Sequence, residues 1–273
     1  PPAGEDNALK QFDKFLNSAI VGYDQNRNRP DLEGTSRLSI PLRFGEIHPR
    51  TILQELNESK DHDTFRKEIC WREFYAEVLA TAPESETKSL DQKWELMGWD
   101  QEKDFAQRLT KWQEGKTGFP IVDAGMRQLK QTGWMHNRVR MIVASFLVKD
   151  LHIHWIHGAK WFMKHLLDGD IASNSHGWQW TAGCGTDASP YYRIFNPMMQ
   201  AEKFDPEAKY VHKYIPELKH LTGMKAHTPW EQPDGYINNY PPRMVDHAQE
   251  REETLRRYKA SKGEKIIKEK FSQ

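Results

Sequence analysis

Cysteine is scarce in this sequence, because its 273 residues include only Cys70 and Cys184. Two thiols cannot form the disulfide framework of a secreted scaffold, nor can they provide the four ligands of an iron–sulfur cluster. The low count is typical of a protein from a reducing compartment, so we expect a cytoplasmic location. No run approaches the roughly 18 apolar residues that a membrane helix needs, which excludes a helical membrane span.

The sequence also lacks an excess of charge of either sign. Its 39 Lys and Arg residues balance 39 Asp and Glu residues, so no overall field attracts nucleic acid. The distribution is uneven, because residues 127–164 carry seven basic side chains and one acid, Asp150. A solvated helix face is the ordinary explanation of such a run. The residue type in marked excess is tryptophan, with ten copies. So many indoles suggest that some of them have a function that needs flat aromatic surfaces.

Hydrophobic periodicity predicts an all-α fold, with no convincing alternating strand and one domain over residues 8–273. Residues 1–7, PPAGEDN, have the composition of a linker remnant, so a domain is expected to precede them in a longer protein. We expect little regular structure in residues 168–200, which are rich in Gly, Ser, Asn and aromatic side chains. The main helices are predicted over 8–22, 62–81, a segment ending at 115, 120–133, 135–151, 155–167 and 245–260.

The helix predicted over 62–81 carries a polar and aromatic stripe. Glu68, Trp71, Arg72 and Tyr75 are spaced i, i+3, i+4 and i+7, which places them on one face. A carboxylate, an indole, a guanidinium and a phenol on one stripe can line a polar cavity. An amphipathic helix with a tryptophan in the core and an outer Glu–Arg pair explains the same spacing.

A similar stripe follows in the helix predicted over 135–151. Asn137, Arg140 and Met141 point away from its apolar face, and Arg138 lies off the stripe, where it can reach a phosphate. An amide both donates and accepts hydrogen bonds at a base edge, and a methionine provides a soft apolar wall.

The segment Gly34–Ser39 combines three hydroxyls, a guanidinium and a glycine, which is typical either of an anion site or of an ordinary turn.

Metal and hydrolase chemistry have little support. Asp168 and Asp170, with one intervening glycine and no further ordered acids, make a poor metal cage. His152 and His154 are two residues apart and do not share a helix face, which argues against zinc. We find no Ser–His–Asp or Cys–His motif, and we expect no metal.

Six segments together resemble the flavin-binding domain of the DNA photolyase and cryptochrome family. They occur in unbroken order between about residue 8 and residue 220, and they are EGTSRLS, WREFY, GKTGFPIVDAGMRQL, TGWMHNRVRMIVASFLVKDL, DGDIASNSHGWQW and PYYRIFNPMMQAEKFDP. Six motifs in register are far more specific than any one of them. The MHNRVRM segment is most similar to class I photolyases, which repair cyclobutane pyrimidine dimers. The (6-4) photolyases carry a His pair near this position, where His136 alone precedes Asn137 here.

The resemblance implies a helical domain that binds one FAD non-covalently, in a U shape and active when fully reduced. The diphosphate would be surrounded by Tyr23, Thr35, Ser36, Arg37, Leu38 and Ser39. The flavin, ribityl and adenine regions would be contacted by Arg72, Asn137, Arg140, Asp168 and Asp170, and flavin N5 would be faced by Asn174. The family's N-terminal α/β antenna domain has no counterpart here, so no antenna chromophore is expected on this chain.

The resemblance further implies that the partner is damaged DNA. The substrate cavity would be lined by Glu68, Trp71, Asn137, Met141 and Trp180, and DNA phosphates would be held by Arg27, Arg138 and Arg193. Aromatic rings stack on a flipped dimer, which costs less to extrude than a normal base because it stacks and pairs badly. The basic stretch 127–164 would rim this cavity. We expect a monomer with no membrane partner.

A tryptophan chain would carry electrons inward to reduce oxidised flavin. The resemblance assigns Trp178, Trp155 and Trp99 to this chain, with Trp178 next to the flavin. Trp99 lies farther before Trp112 than the family's spacing, so an insertion must be assumed. Core packing explains each indole equally well.

The activity implied by the resemblance is that of a deoxyribodipyrimidine photo-lyase, in which excited reduced FAD passes an electron to the dimer, the cyclobutane ring splits, and the electron returns to the flavin. A cryptochrome-type blue-light sensor with the same flavin and Trp chain is the alternative. A Trp-rich helical DNA-binding or base-flipping module without flavin is the third. Trp71, Met141 and Trp180 favour repair, and Asn174 is compatible with it, since plant cryptochromes tend to have an acid there.

Overall fold

The computed structural model describes residues 2–186 and 192–262, and within them it contains helices and no β-strand. The predicted all-α fold is therefore confirmed for this part of the chain. The α-helices, in chain order, are α1 (Glu5–Leu16), α2 (Tyr23–Asn26), α3 (Ser39–Phe44), α4 (Pro49–Gln54), α5 (Lys60–Thr81), α6 (Glu102–Glu114), α7 (Pro120–Thr132), α8 (Asn137–Ser145), α9 (Trp155–His165), α10 (Ile171–Ala182), α11 (Pro197–Phe204), α12 (Lys209–Tyr214), α13 (Met224–His227) and α14 (His247–Ser261).

The first five helices enclose a small apolar core, which includes Phe12, Phe15 and Phe65. Helix α1 begins at Glu5, inside the segment predicted as a linker remnant, and ends at Leu16 rather than at Gly22. The prediction of one helix over 8–22 was wrong because the chain turns at Gly22, whose φ is +81°, and starts a separate helix, α2. Long helix α5 ends where predicted, at Thr81, and begins at Lys60, two residues before the predicted start.

The second and larger core is built around α7 and α8. Helix α7 begins at Pro120 and is followed by Gly133, and nine of its 13 residues are buried. Val139, Ile142 and Val143 form the buried face of α8, as the periodicity predicted. Helices α6, α9, α10 and α12 and the last helix, α14, contribute the remaining apolar side chains.

Two predicted segments differ in the structure. The single helix expected over 135–151 ends as an α-helix at Ser145 and continues as a π-helical turn, Phe146–Asp150. Residues 168–200, expected to be irregular, contain α10 and the start of α11. Helix α10 forms because the Asp170 carboxylate accepts a hydrogen bond from the Ser173 N–H at 2.8 Å, and because Trp178 and Gln179 are buried. Tertiary packing therefore outweighs the weak helix propensity of its glycine, serines and asparagine.

Three helices begin at a histidine that caps them. The Nδ1 atoms of His48, His136 and His154 accept hydrogen bonds from the backbone N–H groups two residues later, at 3.1–3.3 Å. An acceptor at this position satisfies one of the N–H groups that a helix start leaves without a partner. Each ring must therefore be deprotonated at Nδ1. In the neutral ring, the proton is on Nε2.

No helix in the described residues is long and apolar enough to cross a membrane.

Candidate cofactor and DNA site

The candidate site lies at the seam between the two cores. Arg43 of α3 donates to the Gly169 carbonyl at 2.5 Å, and Trp134 donates from Nε1 to the Ser39 hydroxyl at 3.4 Å. The rings of Tyr75 on α5 and His176 on α10 are stacked at 5.6 Å. The structure thus brings together the residue groups 34–39, 68–75, 134–141 and 168–180, which are distant in sequence.

The loop Gly34–Ser39, predicted as the diphosphate site, wraps around the indole of Trp134. The guanidinium of Arg37 lies 4.7 Å from the centre of this indole, and Arg37 also forms an ion pair with Glu33. Thr35 and Ser36 are half-buried and Ser39 is exposed, whereas Leu38 is buried in the small core. The Ser39 hydroxyl meets Trp134 across the seam, and Thr35 lines a cavity with Trp134 and His136. A phosphate can accept hydrogen bonds from hydroxyls placed in this way.

Tyr23, also predicted at the diphosphate, is a member of the small core. Its ring makes edge contacts with Phe15 at 5.6 Å and Phe65 at 5.4 Å, and burial together with Glu68 raises the pKa of its phenol. The structure therefore gives Tyr23 a packing role, and its place beside a phosphate stays a prediction.

An ion pair between the partly exposed Arg140 and the buried Asp168 lies at the seam. Arg140 donates to one oxygen of Asp168 at 2.7 Å and to the Met135 carbonyl at 2.8 Å. The Asp168 side chain is 1% exposed, and its second oxygen, Oδ1, is buried without a hydrogen-bond partner. A buried carboxylate oxygen without a partner is costly, so this site fits a ligand that donates a hydrogen bond there.

The other predicted flavin contacts have different surroundings. Asp170 caps α10, and the side-chain amide of Asn174 donates to the Ala159 carbonyl at 3.0 Å, which orients its oxygen away from that carbonyl. Arg72 binds Glu73 at 2.6 Å and reaches the Leu42 carbonyl at 3.5 Å. Asn137 is exposed at the first turn of α8.

His136, which precedes Asn137, is a polar residue enclosed at the same seam. It is 3% exposed, and its Nε2 atom has no partner. Burial, reinforced by Arg140 and other nearby arginines, lowers the pKa of His136 to about 3. The imidazole is therefore neutral near pH 7, with its Nε2–H available as a donor.

The predicted substrate wall is partly open. Trp71 is 47% exposed on α5, although its indole contacts the rings of Phe74 and Tyr75. Glu68, one turn earlier, forms an ion pair of 2.7 Å with Arg27. Met141 is half-buried on α8. Trp180 lies one turn after His176, whose ring stacks on Tyr75, so the two predicted stacking tryptophans are on helices that pack together.

The three arginines predicted to bind phosphates are all held by other groups. Arg27 pairs with Glu68, and Arg138 donates to the Asn28 side chain at 2.8 Å and lies 4.5 Å from the Phe204 ring centre. Arg193 lies over the Trp180 ring at 5.6 Å. Burial and the charge of Arg27 lower the pKa of Arg138. Arg27 and Arg193 therefore lie beside the predicted wall, at Glu68 and Trp180, whereas Arg138 is held by Asn28 and Phe204.

The predicted electron chain has an unexpected arrangement. Trp178 is buried and contacts Trp112 at 6.1 Å, a residue that the sequence analysis did not assign to the chain. Trp155 is also buried, and the His154 ring lies between it, at 5.6 Å, and Trp99, at 5.2 Å. The predicted members therefore fall into two groups of contacting rings: Trp178 with Trp112, and Trp155 with Trp99 through the ring of His154.

Several site residues could not have been found from the sequence. The only signal for Trp112 is its place in the tryptophan excess, and the contact of Trp134 with Ser39 joins residues 95 positions apart. In the described ranges, no three His, Cys, Asp or Glu side chains are grouped to hold a metal ion.

A helical domain with a polar seam between two cores, lined by tryptophans and an Arg–Asp pair, is typical of a cofactor-binding domain of the photolyase type. Residues 65–260 match the protein family described as the FAD binding domain of DNA photolyase. The chain belongs to this family.

Similar proteins of known name and similar solved structures belong to the same family. The chain is 46% identical to the deoxyribodipyrimidine photo-lyase of Vibrio cholerae over 263 residues, which are 93% of this chain and 55% of that protein. It is similar to the crystal structure of a class III photolyase from Agrobacterium tumefaciens, with a TM-score of 0.90 and 44% identity over 95% of this chain and 56% of that one. A cryptochrome from Synechocystis is similar at a TM-score of 0.84 and 30% identity, over 94% of this chain and 56% of that one. The chain thus spans little more than half the length of these relatives.

Proposed function

We propose that this chain is the catalytic part of a deoxyribodipyrimidine photo-lyase, which repairs cyclobutane pyrimidine dimers in DNA with light. The observation that carries the proposal is Trp71, a large indole left 47% exposed at the seam, beside a carboxylate held by Arg27. Burying such a ring is favourable, so its exposure indicates a surface that a flat ligand covers.

The seam would hold one FAD. The hydroxyls of Thr35, Ser36 and Ser39 would bind the diphosphate, and the unpartnered oxygen of Asp168 would accept a hydrogen bond from the cofactor. Arg140 donates to the other oxygen of that carboxylate and so fixes its orientation. When bound and reduced, FAD supplies the light-driven one-electron chemistry that splits the cyclobutane ring.

The protein's own contribution to repair is orientation and exclusion of water. Trp71 and Trp180 would stack on the extruded dimer, and Met141 would close the apolar side. The Glu68 carboxylate, fixed by Arg27, would accept a hydrogen bond from a pyrimidine N–H. Arg193, which lies over Trp180, and Arg138, which Asn28 holds, would contact DNA phosphates. We expect the chain to act as a monomer.

The subclass is part of the proposal. The MHNRVRM segment favours class I, whereas a class III photolyase is among the structural relatives at 44% identity. A blue-light sensor is the second candidate, because a cryptochrome shares the fold at 30% identity. Both candidates use flavin, so only repair separates them.

A repair assay tests the proposal. The purified chain, incubated with FAD and chemically reduced, should convert a dimer-containing oligonucleotide to intact pyrimidines in blue light and leave it unchanged in the dark. Flavin absorption without repair would favour the sensor. Failure to bind flavin would favour the third interpretation, a DNA-binding module without a cofactor.

A pair of variants tests the proposed wall. Trp71→Ala should weaken binding to dimer DNA by roughly one to two decades, since a base–aromatic stack contributes about 1–3 kcal/mol. Tyr236→Ala, which removes an exposed ring from a part of the chain to which no site residue is assigned, is the control and should leave binding nearly unchanged. Equal losses on dimer and undamaged DNA for Trp71→Ala would show that Trp71 only packs.

A further inference from the structure

The segment from Tyr192 to Phe195 is anchored from beneath by the end of α8 and the π-helical turn. The Lys149 ammonium donates a hydrogen bond to the carbonyl of Arg193, and the Phe195 N–H donates to the Ser145 hydroxyl at 3.3 Å. Ser145 and Lys149 are four residues apart, so both anchors come from the same side of the chain. The backbone of Arg193 is therefore fixed between two contacts.

Burying the Lys149 side chain between these elements has a large desolvation cost. It is 3% exposed, and burial lowers the pKa of its ammonium to about 7. The ring of Tyr192 lies 4.5 Å from the ammonium and offsets part of the cost of removing it from water. An apolar side chain of similar length would avoid that cost. The apolar side chain could not donate a hydrogen bond to the Arg193 carbonyl, as the Lys149 ammonium does.

The last helix supports the same arrangement. The Thr254 hydroxyl of α14 donates to the Lys149 carbonyl, and the Tyr258 ring stacks on Tyr192 at 4.5 Å. Lys149 thus lies between α14 and the segment that carries Arg193.

The Arg193 side chain projects from this fixed backbone over the Trp180 ring. Lys149, Trp180 and Arg193 line one cavity of about 50 Å³ beneath the segment. A space of this size accommodates a shift of the segment if its anchor is removed. Such a shift would move the guanidinium away from Trp180.

We propose that Lys149 is a positioning residue, which fixes the backbone at Arg193 so that its guanidinium stays over Trp180 and meets the DNA. The inference deepens the proposed function and rests on it for the DNA contact. The anchoring itself is independent of that function, and each part has its own measurement.

Hydrogen exchange tests the anchoring on the full chain without DNA. The amides of residues 192–196 should exchange faster in Lys149→Met than in the native protein, and Lys103→Met, which removes an exposed lysine from α6, should not change them. Lys149→Leu, which is shorter and also lacks a donor, should give the same faster exchange if the Met variant does not fold. Unchanged exchange in the folded variants would overturn the proposal.

A double-mutant cycle tests the consequence for DNA. Arg193→Ala should cost at least about twofold less affinity for dimer DNA in the Lys149→Met background than in the native chain, because contacting groups are coupled. Equal losses would show that Lys149 supports the fold without positioning Arg193. A native chain that does not prefer dimer DNA would refute the proposed function, while the exchange result would still decide the anchoring.

Discussion

Gly158, on α9, lies so close to Trp178 that a single methyl group should disturb the packing around this indole. A Cβ atom built at Gly158 would be 2.1, 2.5 and 2.6 Å from three carbons of the Trp178 ring. These distances are far below van der Waals contact. The ring cannot retreat easily, since it is 2% exposed and in contact with Trp112 and Phe162.

Two effects of Gly158→Ala oppose each other. Alanine in a helix interior is favoured over glycine by about 1 kcal/mol. Overpacking a closed core costs about 1–3 kcal/mol, occasionally more. Because the clash is with a rigid, enclosed ring, we expect the steric cost to dominate and the free energy of unfolding to fall by about 1–2 kcal/mol. At about 2–4 °C per kcal/mol for a chain of this size, Tm should fall by several degrees.

Gly177→Ala on α10 is the matched control. A Cβ there meets nothing within 4 Å, so only the helix-propensity gain remains and Tm should rise slightly. Thermal unfolding followed by far-ultraviolet circular dichroism, with cofactor-free protein at one pH and concentration, measures both variants. If Gly158→Ala is as stable as the native chain, Trp178 is not as tightly enclosed as the structure indicates.

Three further predictions follow from the site. His136 has a folded-state pKa of about 3, so the unfolded chain alone takes up its proton as pH falls below about 6.5. The free energy of unfolding should therefore drop by about 2 kcal/mol between pH 8 and pH 5 on its account, and urea unfolding of His136→Asn, which keeps a cap acceptor, should show a correspondingly shallower pH dependence. Arg138→Ala should flatten the dependence of log K on log salt for DNA binding by about 0.9, and an unchanged slope would place Arg138 outside the phosphate contacts. Trp178→Phe should abolish photoreduction of oxidised FAD by an external donor yet leave repair intact once the flavin is chemically reduced; photoreduction at the native rate would mean that Trp178 only packs.

Local signals predicted much of the fold, because they act within one turn of the chain. Helix α5 was expected over 62–81 and is found over Lys60–Thr81, since Ser59 caps its start and Pro83 follows its end. Helix α10 was missed, because buried side chains rather than local propensity stabilise it. The π-helical turn was missed for a similar reason: its widened geometry leaves no trace in a hydrophobic period of 3.6.

The sequence could predict which residues belong to the candidate site, but not which of them contact one another. The residues of the seam were named from the resemblance, and the structure gathers most of them. The bond between Arg27 and Glu68 joins residues 41 positions apart, and Arg138 reaches Asn28 across 110 positions. Such contacts depend on how the two cores pack, which no local pattern specifies.

The three histidine caps have a consequence for which substitutions the chain tolerates. At positions 48, 136 and 154 the helix cap needs only an acceptor atom within hydrogen-bonding distance of a backbone N–H, and the imidazole ring provides that atom. Asparagine, aspartate and serine offer that acceptor, whereas lysine and arginine cannot. Natural relatives should therefore have residues typical of N-caps at these positions. An aromatic ring without an acceptor should be rarer there than a small polar side chain.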